Sequence, residues 1–279
     1  MFFTKMHGIS NDYVYVNGFK ENIADPSAVA KRISDRHTGI GSDGLVLILP
    51  SEKCDFRMRM FNADGSEAEM CGNASRCVAK YVYDNGMTDK TCFTLETGAG
   101  VKIMNLHLGK DKKVDTVTVD MGEPILDAPK VPVISESSPA VNQTYKVFGK
   151  DYHYTAVSMG NPHSVIFMEG IDDLDLDKIG PAFECHAIFP RKTNTEFVEV
   201  KDRKKLKMRV WERGAGETMA CGTGACATAV AAIQNKLTDR AVDIELRGGT
   251  LHIEWDEKDN HVYMTGSATT VFTGNIDIE

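Results

Sequence analysis

No stretch of this chain is apolar for the roughly 20 residues that a bilayer-spanning helix needs. The first ten residues, MFFTKMHGIS, lack an apolar signal core followed by a small-residue cleavage site. The expectation is a cytoplasmic protein with no membrane partner. Positive charge is also short: 32 Lys and Arg stand against 40 Asp and Glu, a net charge of −8. Phosphate backbones are held by clustered Lys and Arg, so a nucleic-acid partner is not expected. The one basic run, Lys201 to Lys207, is broken by Asp202 and reads as a solvated turn or strand end. The seven cysteines are an odd number with no secretion signal, which argues against a disulfide framework. Each thiol is then either packing or chemistry.

What is present suffices for real cores: 42% hydrophobic and 26% charged residues over 279 positions. At about 150 residues per domain, the length suggests roughly two domains. A repeat supports that number. FRMRMFNADGSEAEMCGN, from Phe56 to Asn73, overlies LKMRVWERGAGETMACGT, from Leu206 to Thr223, without a gap at an offset of 150 residues. Met58 falls on Met208, Arg59 on Arg209, Glu67 on Glu217, Cys71 on Cys221 and Gly72 on Gly222. The same offset sets Asn11, in HGISNDY, on Asn161, in SMGNPHS. A register kept this long reads as a duplicated half, its copies related by an approximate two-fold axis, with equivalent residues facing a shared cleft.

Both copies follow one local order. Phe56–Phe61 and Leu206–Trp211 alternate polar and apolar positions, as half-buried strands do. A glycine-containing loop follows, then Cys-Gly and a helix. The spacing predicts helices over about 72–84, stopped by Asn85-Gly86, and about 222–234, stopped by Asn235. The second, GTGACATAVAAI, is apolar all round and so buried. Asp115–Val119, Tyr154–Val157, Ser164–Met168, Glu196–Val200, Val242–Leu246, Leu251–Trp255 and His261–Met264 read as strands, and the Pro- and Ser-rich segment Glu123–Gln143 as a linker. A regular strand–helix alternation is lacking. The expected class is α+β with mixed or antiparallel sheets, strands wrapping a central helix in each of two pseudo-symmetric domains.

A cysteine just before a helix faces unpaired backbone N–H groups and the positive end of the helix dipole, which can lower its pKa from about 8.5. The glycine after it lets a ligand approach the backbone. The N–H groups of Gly72, Asn73, Gly222 and Thr223 suit a carboxylate. With Cys71 and Cys221 on opposite faces of one α-carbon, a thiolate takes the α-proton and a thiol returns another. The helix ends stabilise the charge that develops on the carboxylate. The outcome is inversion without a cofactor, and the two thiols titrate as a coupled pair.

Other readings compete. Cys54, Cys92 and Cys185, and Cys77 and Cys226 on the helices, suit small buried hydrophobes. A zinc site is disfavoured: Cys71/Cys77 and Cys221/Cys226 lack the usual spacing, and six helical residues leave roughly 240° between side chains. A Cys–His hydrolase with His163 or His37 as base leaves the second Cys-Gly unexplained.

FNADGSEAEMCGNASRC and WERGAGETMACGTGACA closely resemble the two active-site signatures of the diaminopimelate epimerase family, as do MHGISNDY, TGIGSDG and MGNPH. The resemblance covers essentially the whole chain. It implies interconversion of LL- and meso-2,6-diaminopimelate, on the route to lysine and peptidoglycan, with no pyridoxal phosphate and no metal. It implies two barrel-like halves, residues 1–120 with a returning strand at 266–279, and 121–265, and a homodimer. By the same resemblance Cys71 and Cys221 are acid and base. Gly72-Asn73 and Gly222-Thr223 hold the reacting carboxylate. Asn11, Asn62, Asn161, Asn194 and Arg213 recognise the substrate, largely at its distal end, while His163 and Glu212 sit near the reacting centre. Arg213 offers a planar fork for a carboxylate. Glu212 can accept from an ammonium group. Gly44 stands where some members carry Gln, Ala74 where glycine is usual, and HGISNDY replaces a commoner HGLGNDF; these bear on fine substrate preference. Two alternatives remain open on sequence: a proline- or histidine-type racemase of the same design, and a non-catalytic amino-acid-binding protein or thiol sensor.

Overall fold

The computed structural model describes residues 1–278; Glu279, the last residue of the expected returning strand, lies outside them. The chain divides into two compact units, one made of Met1–Asp120 and the stretch from Thr265 onward, the other of Met121–Met264.

The first unit runs β1 (Phe2–Gly8), β2 (Asn11–Asn17), α1 (Pro26–Ser34), β3 (Gly44–Leu49), β4 (Phe56–Asn62), β5 (Glu67–Ala68), α2 (Gly72–Asp84), β6 (Cys92–Thr97), β7 (Gly100–Leu108) and β8 (Val114–Asp120). The second runs β9 (Gln143–Val147), β10 (Lys150–Ser158), β11 (Pro162–Phe167), α3 (Leu176–Glu184), β12 (Asn194–Asp202), β13 (Lys205–Glu212), β14 (Gly216–Glu217), α4 (Gly222–Gln234), β15 (Ala241–Leu246) and β16 (Gly249–Trp255). A short 3-10 turn at Ile171–Asp173 precedes α3. β17 (Val262–Ser267) leads into β18 (Thr269–Asn275), which pairs antiparallel with β1 in the first unit. The Met1 ammonium donates to the Ile276 carbonyl at 2.9 Å.

The duplication runs from β1–β8 to β10–β17 and from α1 and α2 to α3 and α4. In both units the first long strand meets the second antiparallel, the second meets the third parallel, and the third meets the fourth antiparallel. The fourth then pairs parallel with the strand after the central helix. The sheets are mixed, as expected of the α+β class. Helix boundaries repeat as well. Asp25 caps α1 through the Ala28 N–H at 3.0 Å, and Asp175 caps α3 through the Lys178 N–H at 3.3 Å. At the far ends of α2 and α4, Asn85 and Asn235 turn their side-chain amides back onto the carbonyls of Tyr81 and Ala231, at 2.8 and 2.7 Å. Arg59 grips Glu67 in a two-point fork at 2.7 and 2.8 Å, and Arg209 grips Glu217 at 2.8 and 3.0 Å.

α2 packs against β1, β2, β7 and β8, and α4 against β10, β11, β12, β15 and β16, so each central helix is enclosed by its own strands. α4 is buried on all sides from Gly224 to Ala232, in keeping with its small apolar sequence. The second helix of each unit covers an outer face. α1 sets Ala30 and Ile33 on Leu45, Leu47 and Phe61; α3 sets Phe183 among Tyr145, Phe197 and Trp211.

Two sequence readings change. The segment Glu123–Gln143 is not a free linker: it buries Ala128, Val131, Val133 and Ala140 in the second unit's core, and Ile125 bridges Ser158. Its prolines and serines suit a chain that follows a core without regular pairing. Cys92 and Cys185 are exposed, and only Cys77 and Cys226 are the buried hydrophobes expected of unreactive thiols. Helices α1 and α3, nine residues each, add to the two helices that the sequence predicts.

The β1–β2 hairpin closes on Ile9 and Ser10, both left-handed at φ 45° and 68°. A two-residue turn of this kind favours Asn-Gly. Ser10→Gly is therefore expected to stabilise the protein by about 1 kcal/mol, read as a higher urea midpoint at unchanged slope. An unchanged midpoint would show that the turn carries no strain.

Candidate active site

Each central helix begins at a cysteine with extended backbone, Cys71 at φ −139° and Cys221 at φ −120°. The strand–turn–helix route brings different residues to the two positions.

In the first unit Asn11 opens β2 and directs its side-chain oxygen at both the Cys71 sulfur and the Asn73 amide, each at 3.3 Å. The Asn11 amide donates to Asp43 at 2.7 Å. Asp43 also accepts from the Asp12 backbone N–H and from Arg36. Asn11 is thus anchored from behind with its acceptor facing the thiol. Below the helix start lies Arg76, a fully buried guanidinium that donates to Asn73 Oδ1 at 2.8 Å and to the Gly72 carbonyl at 3.3 Å. The tightness of this corner explains Gly8: a Cβ there would stand 2.9 Å from the Asn73 carbonyl oxygen. Asn62 ends β4 opposite Gly44 and bonds within its own turn, Nδ2 to Ser66 Oγ at 3.0 Å. Gly44 admits no side chain in this backbone, because a Cβ would meet Phe61 O at 2.0 Å. A glutamine at this position is excluded by space, beyond any question of a polar contact. Ala74 is fully buried in the first turn of α2.

In the second unit the Cys221 sulfur accepts from the Gly224 N–H at 3.4 Å and lies 3.6 Å from Thr223 Oγ1. Asn161, the equivalent of Asn11, donates to Thr223 Oγ1 at 3.3 Å and accepts from His163 Nε2 at 3.0 Å. His163 is completely buried. Asn194 bridges two neighbouring strands: its amide donates to the Pro162 carbonyl at 2.9 Å, and its oxygen accepts the Arg213 backbone N–H at 2.8 Å. The Arg213 guanidinium is exposed and rests on the Arg191 carbonyl at 2.9 Å. Glu212 accepts from the Thr218 hydroxyl.

By sequence, both thiols sit where a helix end would lower their pKa. At Cys221 the balance runs the other way. Burial pushes this thiol well above its usual range, and the neighbouring Glu212 and Glu196 add to the rise. The Thr223 and Gly224 donors oppose it without overcoming it. Only the thiolate alkylates, so the iodoacetamide rate at Cys221 should climb about tenfold per pH unit through and beyond pH 8.5, the usual thiol value. Peptide mapping by mass spectrometry reads the rate; a plateau at or below that pH would contradict the shift.

Glu196, Asp43, Thr218 and Arg76 touch these groups and were not singled out in the sequence. Asp43 lies inside TGIGSDG. Arg76 and Thr218 likewise lie inside FNADGSEAEMCGNASRC and WERGAGETMACGTGACA; Glu196 lies in no such motif, but the repeat marks it, since its counterpart is Val46 in the apolar strand GLVLIL. Among the described residues no group of three or more His, Cys, Asp or Glu side chains is close enough to hold a metal ion.

The sequence profile described as Diaminopimelate epimerase matches residues 3–126 and 155–271. A diaminopimelate epimerase of Desulfovibrio desulfuricans is 63% identical over 98% of this chain and 96% of its own. One of Methanococcus maripaludis is 57% identical over all of both chains. Among solved structures, a PhzF-family phenazine biosynthesis protein of Bacillus anthracis superposes with a TM-score of 0.72 at 15% identity, covering 100% of this chain and 99% of that one. A probable proline racemase of Agrobacterium radiobacter gives 0.71 at 13% identity, covering 100% and 93%. At such identities these two structures bear on the fold alone, whereas the full-length relatives and the profile bear on descent: the chain belongs to the diaminopimelate epimerase family.

Proposed function

We propose that this isomerase interconverts LL- and meso-2,6-diaminopimelate, Cys71 and Cys221 working on opposite faces of one α-carbon. The observation that carries the reading is a matched pair of cysteines, each opening a 13-residue helix at the same place in a duplicated half. In each turnover the α-C–H bond breaks and its electron pair moves into the carboxylate. One thiolate becomes a thiol as it takes that proton. The opposite thiol delivers its own proton to the carbon and becomes a thiolate. The N–H groups of Gly72, Asn73, Gly222 and Thr223 receive the carboxylate charge where it develops. Asn11 and Asn161 orient the substrate beside the sulfurs. Asn62, Asn194 and Arg213 take the distal amino-acid end, and Glu212 and His163 adjoin the reacting centre.

By the same reading the epimerase halves are residues 1–120 with 266–279, and 121–265. The same reading makes the protein a cytoplasmic homodimer acting on a small molecule without cofactor, nucleic acid or membrane. In its support, no helix among the described residues is long and apolar enough to cross a membrane.

Following solvent deuterium into LL-diaminopimelate tests the reaction directly, and turnover of proline or histidine alone would overturn the substrate. Binding without any α-hydrogen exchange would favour an amino-acid-binding protein. Arg213→Ala should raise KM for diaminopimelate roughly 10–100-fold, the loss of a charged two-point contact, while kcat falls much less. An unchanged KM would remove Arg213 from the distal subsite.

A further inference from the structure

The two halves are not chemically equivalent beneath their cysteines. His163 and Glu196 form a wholly buried pair, Nδ1 to Oε1 at 2.7 Å. At the 150-residue offset the first half has Tyr13 and Val46. The pair was therefore added to, or kept in, one side only of a duplicated scaffold.

Its hydrogen bonds have a direction. A side-chain amide oxygen can only accept, so the 3.0 Å contact with Asn161 Oδ1 puts a hydrogen on His163 Nε2. The contact with Glu196 needs a second hydrogen, shared between Nδ1 and Oε1. Whether written as imidazole with carboxylic acid or imidazolium with carboxylate, the pair is neutral overall. Burial pushes the Glu196 carboxyl up, favouring the acid form. Its second oxygen, buried and without a hydrogen-bond partner, is less costly on a neutral acid than on a carboxylate. From Nε2 the donors run one way: His163 to Asn161, Asn161 Nδ2 to Thr223 Oγ1 at 3.3 Å, and the Thr223 hydroxyl to the Cys221 sulfur at 3.6 Å. The carboxyl is also near that sulfur. Glu196 Oε1 and Cys221 Sγ lie 2.8 and 3.1 Å from the point where Gly224 would carry a Cβ. The two atoms are thus within about 6 Å of each other, close enough for charge on one to act on the other.

We infer that Glu196 is a positioning residue for epimerisation: through the proton it shares with His163, it sets the direction of a hydrogen-bond chain that ends on the Cys221 sulfur. If the shared proton is lost, the imidazole moves its remaining hydrogen to Nδ1 to face the carboxylate, and Nε2 becomes an acceptor. Asn161 must then turn its amide nitrogen to the imidazole and its oxygen to Thr223. The Thr223 hydroxyl is spent on that oxygen and no longer supports a Cys221 thiolate. The titratable groups facing this chain are Glu196 on β12, His163 on β11, Glu212 on β13, Cys221 at the start of α4 and, through Ser164, Tyr145 on β9.

The inference rests on the diaminopimelate reading above, and its test separates the two. Glu196→Val places in this strand the residue its counterpart already carries. It should lower kcat roughly hundredfold, the scale of a misplaced reacting group, with KM within about threefold. Glu196→Gln can donate an amide hydrogen to Nδ1 and keep the hydrogen on Nε2. It should hold kcat within about fivefold while removing the pair's contribution to the pH profile of kcat. Histidine side-chain 15N spectra, with His163 assigned from His163→Gln, read the hydrogen directly. It is expected on Nε2 in the parent and in Glu196→Gln, and redistributed in Glu196→Val. Wild-type kcat in Glu196→Val, equal losses in both variants, or a parent His163 without hydrogen on Nε2 would each overturn the inference. Should the parent fail to exchange the α-hydrogen of diaminopimelate, the substrate reading fails, and the spectra still decide the direction of the chain.

Discussion

Cys71→Ala and Cys221→Ala should each lower the rate of epimerisation about 10³–10⁴-fold or more, the scale of losing a general acid or base. Inversion needs a proton removed from one face and supplied on the other, so neither thiol can stand in for its partner. The expected residue of activity is more telling than the loss. A variant that keeps one thiol can still take the α-proton from that thiol's own face and return a solvent-derived one. Deuterium should therefore enter one stereoisomer with its configuration retained, and the favoured isomer should switch between the variants. Chiral chromatography coupled to mass spectrometry reads both quantities. Full inversion in either variant would refute the two-base assignment. Cys77→Ala is the control: this thiol is fully buried, and burial raises its pKa to about 11. It should cost about 1 kcal/mol of packing and leave the rate near wild type.

Gly180→Ala should destabilise the protein by roughly 3 kcal/mol, at the upper end of overpacking costs, and lower Tm by about 5–10 °C. The cause is one contact. A Cβ at Gly180, in α3, would stand 2.2 Å from the Trp211 indole. The indole cannot slide freely, because its N–H donates to the buried Glu184 carboxylate at 2.9 Å. The duplicate shows how the space is shared. Ala30 occupies the position equivalent to Gly180, and Phe61 that of Trp211, both within one core cluster. The larger ring goes with the smaller helix residue. Gly180→Ala combined with Trp211→Phe should accordingly recover about half of the loss, a coupling of 1–2 kcal/mol in a double-mutant cycle. Additive losses would mean that the two residues are not competing for one volume. Trp211 immediately precedes Glu212, so the single variant should also lower activity below its unfolding temperature.

Features that depend on short-range chemistry were legible in the sequence. Helices α2 and α4 could be bounded because a Cys-Gly start and an Asn stop are local signals, and both structural boundaries fall as read. The 150-residue register set Arg59 on Arg209 and Glu67 on Glu217, though that each Arg grips its Glu is seen only in the structure. Helices α1 and α3 escaped because nine residues give little periodicity, and α3 carries Gly180 and Pro181 within it. Their Asp25 and Asp175 caps were readable signals left unused. Residues 123–143 misled because composition reports hydration preference and not where a chain is laid down. Four small apolar side chains suffice to bury such a segment. At the site, Asn11, Asn161, His163, Asn194, Glu212 and Arg213 are legible through the repeat or the quoted motifs, while Glu196 is not. A glutamate in a strand ordinarily points outward, and only a buried partner, His163, reverses that.

The bond between the Met1 ammonium and the Ile276 carbonyl brings the chain's beginning alongside its last strand. A few linker residues could therefore join the ends, and the chain could be reopened between Asp120 and Met121. Such a circular permutant would encode each compact unit as one uninterrupted segment. The two halves could then be expressed, swapped or evolved as separate cassettes.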